Sequence, residues 1–223
     1  MIKIVKSPEP NVLKNSGSKW LQKVVTKKAA GEPIRDIVYD KFRRNKEIKI
    51  TVVKDSFGKC SYCESKILAV SHGDIDHIIP LDADHTLAFE WQNLVLSCTK
   101  CNFEKLAYFS KTDPLLNPLQ DEPSEHLLSE DHWIRGIPNT KGPTTEIEVG
   151  LNRGGLIEDR QEHLENLKNA ITYWKVLKAQ NDPLMELAKR QILCAQERNK
   201  EYLFMKSNHV KNDCVELWMD TRS

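Results

Sequence analysis

Four cysteines in two C-x-x-C pairs, Cys60/Cys63 and Cys98/Cys101, constrain this chain more than any other feature. Each pair can turn both sulfurs toward one point, and two pairs complete the four-thiolate tetrahedron that Zn²⁺ takes in closed, structural sites. A closed site leaves no position open for substrate. The zinc is therefore expected to staple a short segment with too little apolar bulk for a core of its own, not to catalyse. Redox-active or unrelated pairs are the competing reading, disfavoured because the two pairs frame one compact stretch. The other two cysteines, Cys194 and Cys214, fall in a helical region and are expected to be buried small apolar residues.

Between the pairs, Gly73-Asp74-Ile75-Asp76-His77-Ile78-Ile79-Pro80-Leu81 reads as a strand stopped by Pro80, and Trp91 to Ser97 as a second strand running into Cys98. Cys101-Asn102-Phe103-Glu104-Lys105 opens a helix, with Cys98, Asn102 and Lys105 along one flank. Phosphodiester hydrolysis needs a nucleophilic water, a cation on the phosphorus centre and leaving oxygen, and fixed geometry. Asp76 and Asn102 offer hard oxygen donors suited to Mg²⁺ or Mn²⁺. His77, with an ordinary pKa of about 6.5, can take a proton from water. Asn93 can brace the histidine or its loop, and Lys105 can meet a phosphate. Singly, each has a plainer reading: an Asp-His pair in a surface turn, an Asn as a helix cap. Asp74 reads as a supporting or solvated carboxylate, and His72 and His85 as loop residues. Adjacent strand residues point to opposite faces, so Asp76 and His77 share a site only if the strand bends there.

The rest of the chain divides into an N-terminal helical zone (1–57), the cysteine-framed zone (58–112) and a third zone (113–223). In the first, Pro8 and Pro10 keep the start extended, a helix follows Ser18, Gly31 and Pro33 end it, and Ile34, Ile37, Val38 and Phe42 indicate another. The third opens irregularly, with prolines at 114, 118, 123, 138 and 143, and Thr144 to Val149 alternates like a short strand. Leu164, Leu167, Ile171, Trp174 and Leu177 then form a helical stripe. Asp182-Pro183 interrupts it, and Leu184, Ala188, Ile192 and Ala195 resume. The expected class is α+β: a small zinc-stapled module flanked by mostly α-helical N- and C-terminal regions.

With 223 residues and a net charge of +1, the chain has no uniformly basic coat, so any nucleic-acid footprint is local. Arg43, Arg44 and Lys46, in a basic run continuing to Lys49 and Lys54, are the candidate patch, or simply a solvated helix face. No apolar run approaches the roughly 20 residues that span a bilayer. The opening residues carry no apolar leader core. A membrane role is therefore not expected, and the cytoplasm is the expected compartment.

The ordered set C-x-x-C, Asp76-His77-x-x-Pro80, Asn93-Leu94, C-x-x-C-Asn102-x-x-Lys105 resembles the HNH endonuclease family. That resemblance implies the ββα-metal fold, Asp76 and Asn102 as ligands of a catalytic cation, His77 as general base and Asn93 as the residue orienting its loop. Asn102 stands where many members have a last His, which favours Mg²⁺ or Mn²⁺. A narrower likeness covers nearly the whole chain. Met1-Ile2-Lys3-Ile4-Val5-Lys6, Cys60-Ser61-Tyr62-Cys63-Glu64, Trp91-Gln92-Asn93-Leu94, Asp121 to Leu127 and Gly150-Leu151-Asn152-Arg153 are similar to PtuB-like HNH proteins of Septu-type antiphage systems, including retron-associated ones. Many relatives have Glu-His-aromatic where this chain has Asp76-His77-Ile78. This likeness implies a DNA or RNA substrate, an ABC/SMC-like (PtuA-like) ATPase partner and, in retron versions, a reverse transcriptase with its DNA–RNA product. Two other functions compete: a non-catalytic, zinc-dependent nucleic-acid-binding module, and a structural subunit of such a complex.

Overall fold

The computed structural model describes residues 1–67, 71–197 and 200–220, excepting the side chains of Trp218 and Asp220. The chain opens with helices α1 (Asn11–Ala29), α2 (Arg35–Arg44) and α3 (Lys46–Asp55). The first begins directly after Pro10, seven residues before the expected start at Ser18. The reason is non-local: the Glu47 carboxylate of α3 accepts the first two helical amides, Asn11 N–H at 2.9 Å and Val12 N–H at 3.2 Å. A cap reaching across 36 residues leaves no local trace in the sequence. The α2–α3 break at Asn45 was not anticipated. Ile48 and Val52 on α3 pack inward beside Val38 and Phe42 of α2.

The cysteine-framed segment is built from β1 (Asp74–His77) and β2 (Leu94–Ser97), paired antiparallel with Asp76 opposite Val95 and His77 opposite Leu94. Helix α4 (Thr99–Lys105) follows directly. Both strands are shorter than expected. Trp91 to Asn93 is a 3₁₀ turn, and β1 ends at His77, three residues before Pro80. All four residues of β2 are buried, as suits a strand under helices. One continuous apolar core joins α1–α3, the hairpin and the start of the long helix α6 (Gly154–Ala179), with Val24, Val38, Ile48, Leu94 and Leu116 fully enclosed.

Two elements in the proline-rich stretch depart from expectation. Residues 127–136, expected to be irregular, form a hairpin of β3 (Leu127–Glu130) and β4 (Trp133–Gly136), turned at Asp131 with φ 51°. The strand expected at Thr144–Val149 is instead helix α5 (Gly142–Glu148). Gly142, Thr145 and Val149 are its inward positions, spaced three and four apart. Pro143 suits a first helical turn, and the Thr145 hydroxyl donates to Lys141 O at 2.8 Å while accepting from Leu116 N–H at 2.8 Å. The polar-apolar alternation was thus an accident of a short amphipathic helix.

Gly142 and Gly136 let this helix close on the hairpin. A Cβ at Gly142 would lie 1.9 Å from His126 O and 2.8 Å from Gly136 Cα. Because the obstruction is backbone, Gly142→Ala should cost about 3 kcal/mol in urea unfolding, the upper end for overpacking. An unchanged midpoint would show that the hairpin is not held this way.

The C-terminal helices follow the expected stripe except at Leu184, which is exposed, and Ala195, which is half-buried. Leu156, Arg160, Leu164, Leu167, Ile171, Trp174 and Leu177 are the buried face of α6. After Asp182-Pro183, α7 (Met185–Cys194) turns back and buries Ala188 and Ile192. Two further helices, α8 (Leu203–Asp213) and α9 (Val215–Asp220), complete a second apolar cluster through Val210, Cys214 and Leu217. Cys214 is buried as expected. Cys194 is exposed, which corrects that expectation: two residues on from Ile192, it sits some 200° round the helix from the buried face. Among the described residues no helix is long and apolar enough to cross a membrane.

Candidate active site

The four cysteines of the two C-x-x-C pairs come together. Their sulfurs all lie within 4.8 Å of one another, and Cys63 Sγ and Cys98 Sγ are 3.9 Å apart. With Zn–S bonds of about 2.3 Å a tetrahedron has sulfur–sulfur edges of about 3.8 Å, so this donor set fits zinc. Backbone bonds explain the convergence. Ser61 N–H donates to Leu96 O at 2.8 Å, tying the first knuckle to β2, and Cys98 caps α4 by accepting from Cys101 N–H at 3.4 Å. Thiol–thiol hydrogen bonds, from Cys101 first, bring Cys98 down to about 7 and hold Cys63 well below the ordinary thiol range. Arg153, ahead of α6, donates to Cys101 Sγ at 3.4 Å and to Cys98 Sγ at 3.8 Å. A guanidinium there offsets part of the negative charge four thiolates bring. Cysteine spacing gave no signal for it.

Beside this cluster, Asp76, His77, Asn102 and Lys105 line one cleft of about 470 Å³, together with Tyr39 and Phe103. The side chains of Asp76 and His77 have different partners, as strand alternation demands, and both residues line this cleft where β1 ends and the chain bends. The Asp76 carboxylate accepts from Tyr62 Oη at 2.6 Å and faces Lys105 Nζ at 3.2 Å. Tyr62 lies between the two cysteines of the first knuckle and is 1% exposed, so the sulfur cluster and the carboxylate are one hydrogen-bonded step apart. Sequence reasoning passed over Tyr62. Its one signal was an aromatic hydroxyl inside a knuckle, flanked by cysteines.

The imidazole of His77 has a defined tautomer. Its Nε2 lies 2.9 Å from Ala88 O, which can only accept, so Nε2 carries the hydrogen and the neutral ring keeps its lone pair on Nδ1. Burial, opposed by that hydrogen bond and by Asp76, lowers its pKa and favours the neutral form. Phe42 packs on the ring, with centroids 5.7 Å apart. Asn93 braces the same region: its Oδ1 accepts from Ile79 N–H at 2.7 Å and its Nδ2 donates to Ile79 O at 3.0 Å and Leu87 O at 3.3 Å. The amide thus pins the segment after β1 to the turn that presents Ala88.

Asn102 and Asp74 are also brought together, Asn102 Nδ2 donating to Asp74 Oδ2 at 3.3 Å. Asp76 and Asn102 line the cleft and Asp74 lines the concavity beside it; all three carry hard oxygen donors, the chemistry that Mg²⁺ or Mn²⁺ requires. Asp76 keeps lone pairs beyond those used by Tyr62 and Lys105. Lys105, expected to meet a phosphate, lines the cleft with its side chain enclosed. Its ammonium is 1% exposed and bonds to His77 O at 2.8 Å and to Asp76, so it organises the cleft floor rather than reaching out of it.

The basic patch divides. A second concavity of about 830 Å³ adjoins the first, with Tyr39 and Asn102 lining both. Arg43, Lys46 and Lys49 line this second space, with His72. Arg43 and Arg44 both bond Asp40, at 3.1 Å and 2.8 Å, and Arg44 does not line either concavity. His85 sits in a 3₁₀ turn away from both.

Comparison with known proteins agrees with this geometry. Residues 60–106 match the family described as HNH endonuclease. The chain is 35% identical over 107 residues to the Septu protein PtuB of Bacillus thuringiensis, a match spanning 48% of this chain and 41% of that protein. It is 28% identical over 205 residues to the Septu protein PtuB of Bacillus mycoides (strain KBAB4), spanning 75% of this chain and 68% of that one. The chain thus spans less than half the length of the first of these relatives and about two thirds of the second. With the strand–strand–helix arrangement and the four converging sulfurs in place, residues 60–106 carry an HNH domain, and the chain as a whole is similar to proteins named PtuB.

Proposed function

We propose that this chain is a metal-dependent endonuclease that hydrolyses phosphodiester bonds of DNA or RNA, acting as the effector of an antiphage system. The observation that carries this reading is that Asp76, His77 and Asn102, the residues an HNH site needs, line one cleft. Asp76 and Asn102 would hold Mg²⁺ or Mn²⁺, with Asp74 at hand as a further oxygen donor. When bound, the cation supplies charge stabilisation at the phosphate and the leaving oxygen. His77 Nδ1 takes the proton of the attacking water while Nε2–H stays on Ala88 O, which holds the ring still as it becomes positive. Tyr62 and Lys105 fix the rotamer of Asp76, and Asn93 fixes the loop behind His77. The zinc cluster is a staple and takes no part in the bond-breaking step.

The antiphage setting rests on the PtuB likeness. It brings a PtuA-like, ABC/SMC-like ATPase as the proposed partner, acting in the cytoplasm, where the thiols stay reduced. The exposed apolar residues Tyr173, Val176, Leu184 and Leu187 on and beside α6 and α7 offer such a partner a surface. A retron reverse transcriptase rests on the family resemblance alone. The test is incubation of the chain, alone and with that ATPase, with plasmid, single-stranded DNA and RNA. Cleavage that needs Mg²⁺ or Mn²⁺ and stops with EDTA is expected. Cleavage indifferent to EDTA would contradict the mechanism.

A further inference from the structure

The cleft is edged by aromatic and apolar side chains that the fold leaves uncovered. Phe103, next to Asn102 on α4, is 68% exposed, and Tyr39 of α2, which lines the same cleft, is 48% exposed. Leu106 closes α4 at φ 44°, ψ −127°, a backbone region that favours glycine, and its side chain is 64% exposed. Neither burial nor backbone geometry favours a leucine there. These groups meet the same floor as Asp76 and His77. Next to them, through Tyr39 and Asn102, runs the concavity lined by Arg43, Lys46, Lys49 and Asp74; Arg43 is exposed and also bonds Asp40 at 3.1 Å, while Lys49 is held on Gly73 O at 2.7 Å.

Exposed ring faces interleaved with cations are what an unpaired nucleic-acid strand fits: bases stack on the aromatics while the phosphates follow the positive groove. A duplex keeps its base faces stacked inside, and meeting an aromatic there requires unstacking that costs a few kcal/mol. We infer that the substrate engaged at this cleft is single-stranded, with Phe103 and Tyr39 as stacking platforms and Arg43 and Lys46 as the phosphate track. This rests on the nuclease reading of the cleft, but it is carried by the uncovered rings rather than by Asp76 or His77. DNA and RNA share the chemistry invoked, so both are probed.

The experiment measures fluorescence anisotropy of labelled oligo-dT and oligo-rU of about 16 nucleotides, and of a mixed-sequence duplex of equal length, on the full chain carrying His77→Ala. Zinc content and circular dichroism confirm each protein's fold, and a gel confirms that each probe is intact. The single strand should bind about tenfold tighter than the duplex, and Phe103→Ala should remove about tenfold of that. Phe103→Trp should restore it and Phe103→Leu should not. Single-strand binding unchanged by Phe103→Ala, duplex bound as tightly as single strand, or full rescue by Phe103→Leu each overturns the inference; the last would mark plain apolar cover, as by a protein partner. Failure of the nuclease reading is read separately. If His77→Ala cuts like the parent while single-strand binding depends on Phe103, the track stands and the mechanism falls. If cleavage depends on His77 and binding ignores Phe103, the reverse holds.

Discussion

Replacing His77 with alanine should lower cleavage by about a thousandfold, in the middle of the range for loss of a positioned general base, while zinc content and fold persist. The effect is large because no other described residue is placed to substitute for it. His72, the nearest other histidine in sequence, lines the adjoining concavity rather than the cleft, and Lys105 is bonded to Asp76 and His77 O. The fold should tolerate the change because Asn93, not the imidazole, pins the segment after β1. His77→Ala leaves Ala88 O without its ring partner, a cost of about 1–3 kcal/mol. Full activity in this variant would remove the imidazole from the mechanism. Loss of zinc and helicity together with activity would make it a structural residue instead.

Cys60→Ser should have the largest effect on the protein itself. The cluster ties the loop before β1 to the start of α4, at the edge of the core that β2 enters, so losing one of four ligands should lower zinc content sharply and cost about 4 kcal/mol or more. Activity should fall with it for a specific reason. Tyr62 sits between Cys60 and Cys63 and holds Asp76 at 2.6 Å, so a loosened knuckle frees the carboxylate. Chelation of zinc from the native chain should give the same melting curve as the variant. A Cys60→Ser protein that melts like its parent, with zinc equal in both, would show that the sulfurs do not staple the fold.

What could be read from the sequence was what is local. The C-x-x-C spacings and the stripe of α6 each lie within a few residues or turns; the four sulfurs converge, the stripe is buried, and Asp76, His77 and Asn102 line one cleft. What was missed depends on distant partners. The start of α1 is set by Glu47, the identity of α5 by Gly142 and Gly136 packing backbone on backbone, and the charge balance at the sulfurs by Arg153. Lys105 looked like a free cation three residues after Asn102. Only the β1 floor beneath it shows that Asp76 and His77 O accept its hydrogen bonds. Phe103 carried no motif, and its exposure became visible only once α4 had a cleft beside it.

The most direct test is anomalous diffraction from crystals of the zinc-loaded protein soaked in Mn²⁺. A manganese peak within about 2.2 Å of an Asp76 carboxylate oxygen and the Asn102 amide oxygen, on the cleft side of His77 and separate from a zinc peak among the four sulfurs, is the predicted result. Manganese bound only elsewhere, with Asp76 still closed on Lys105 and Asn102 turned away, would contradict the account.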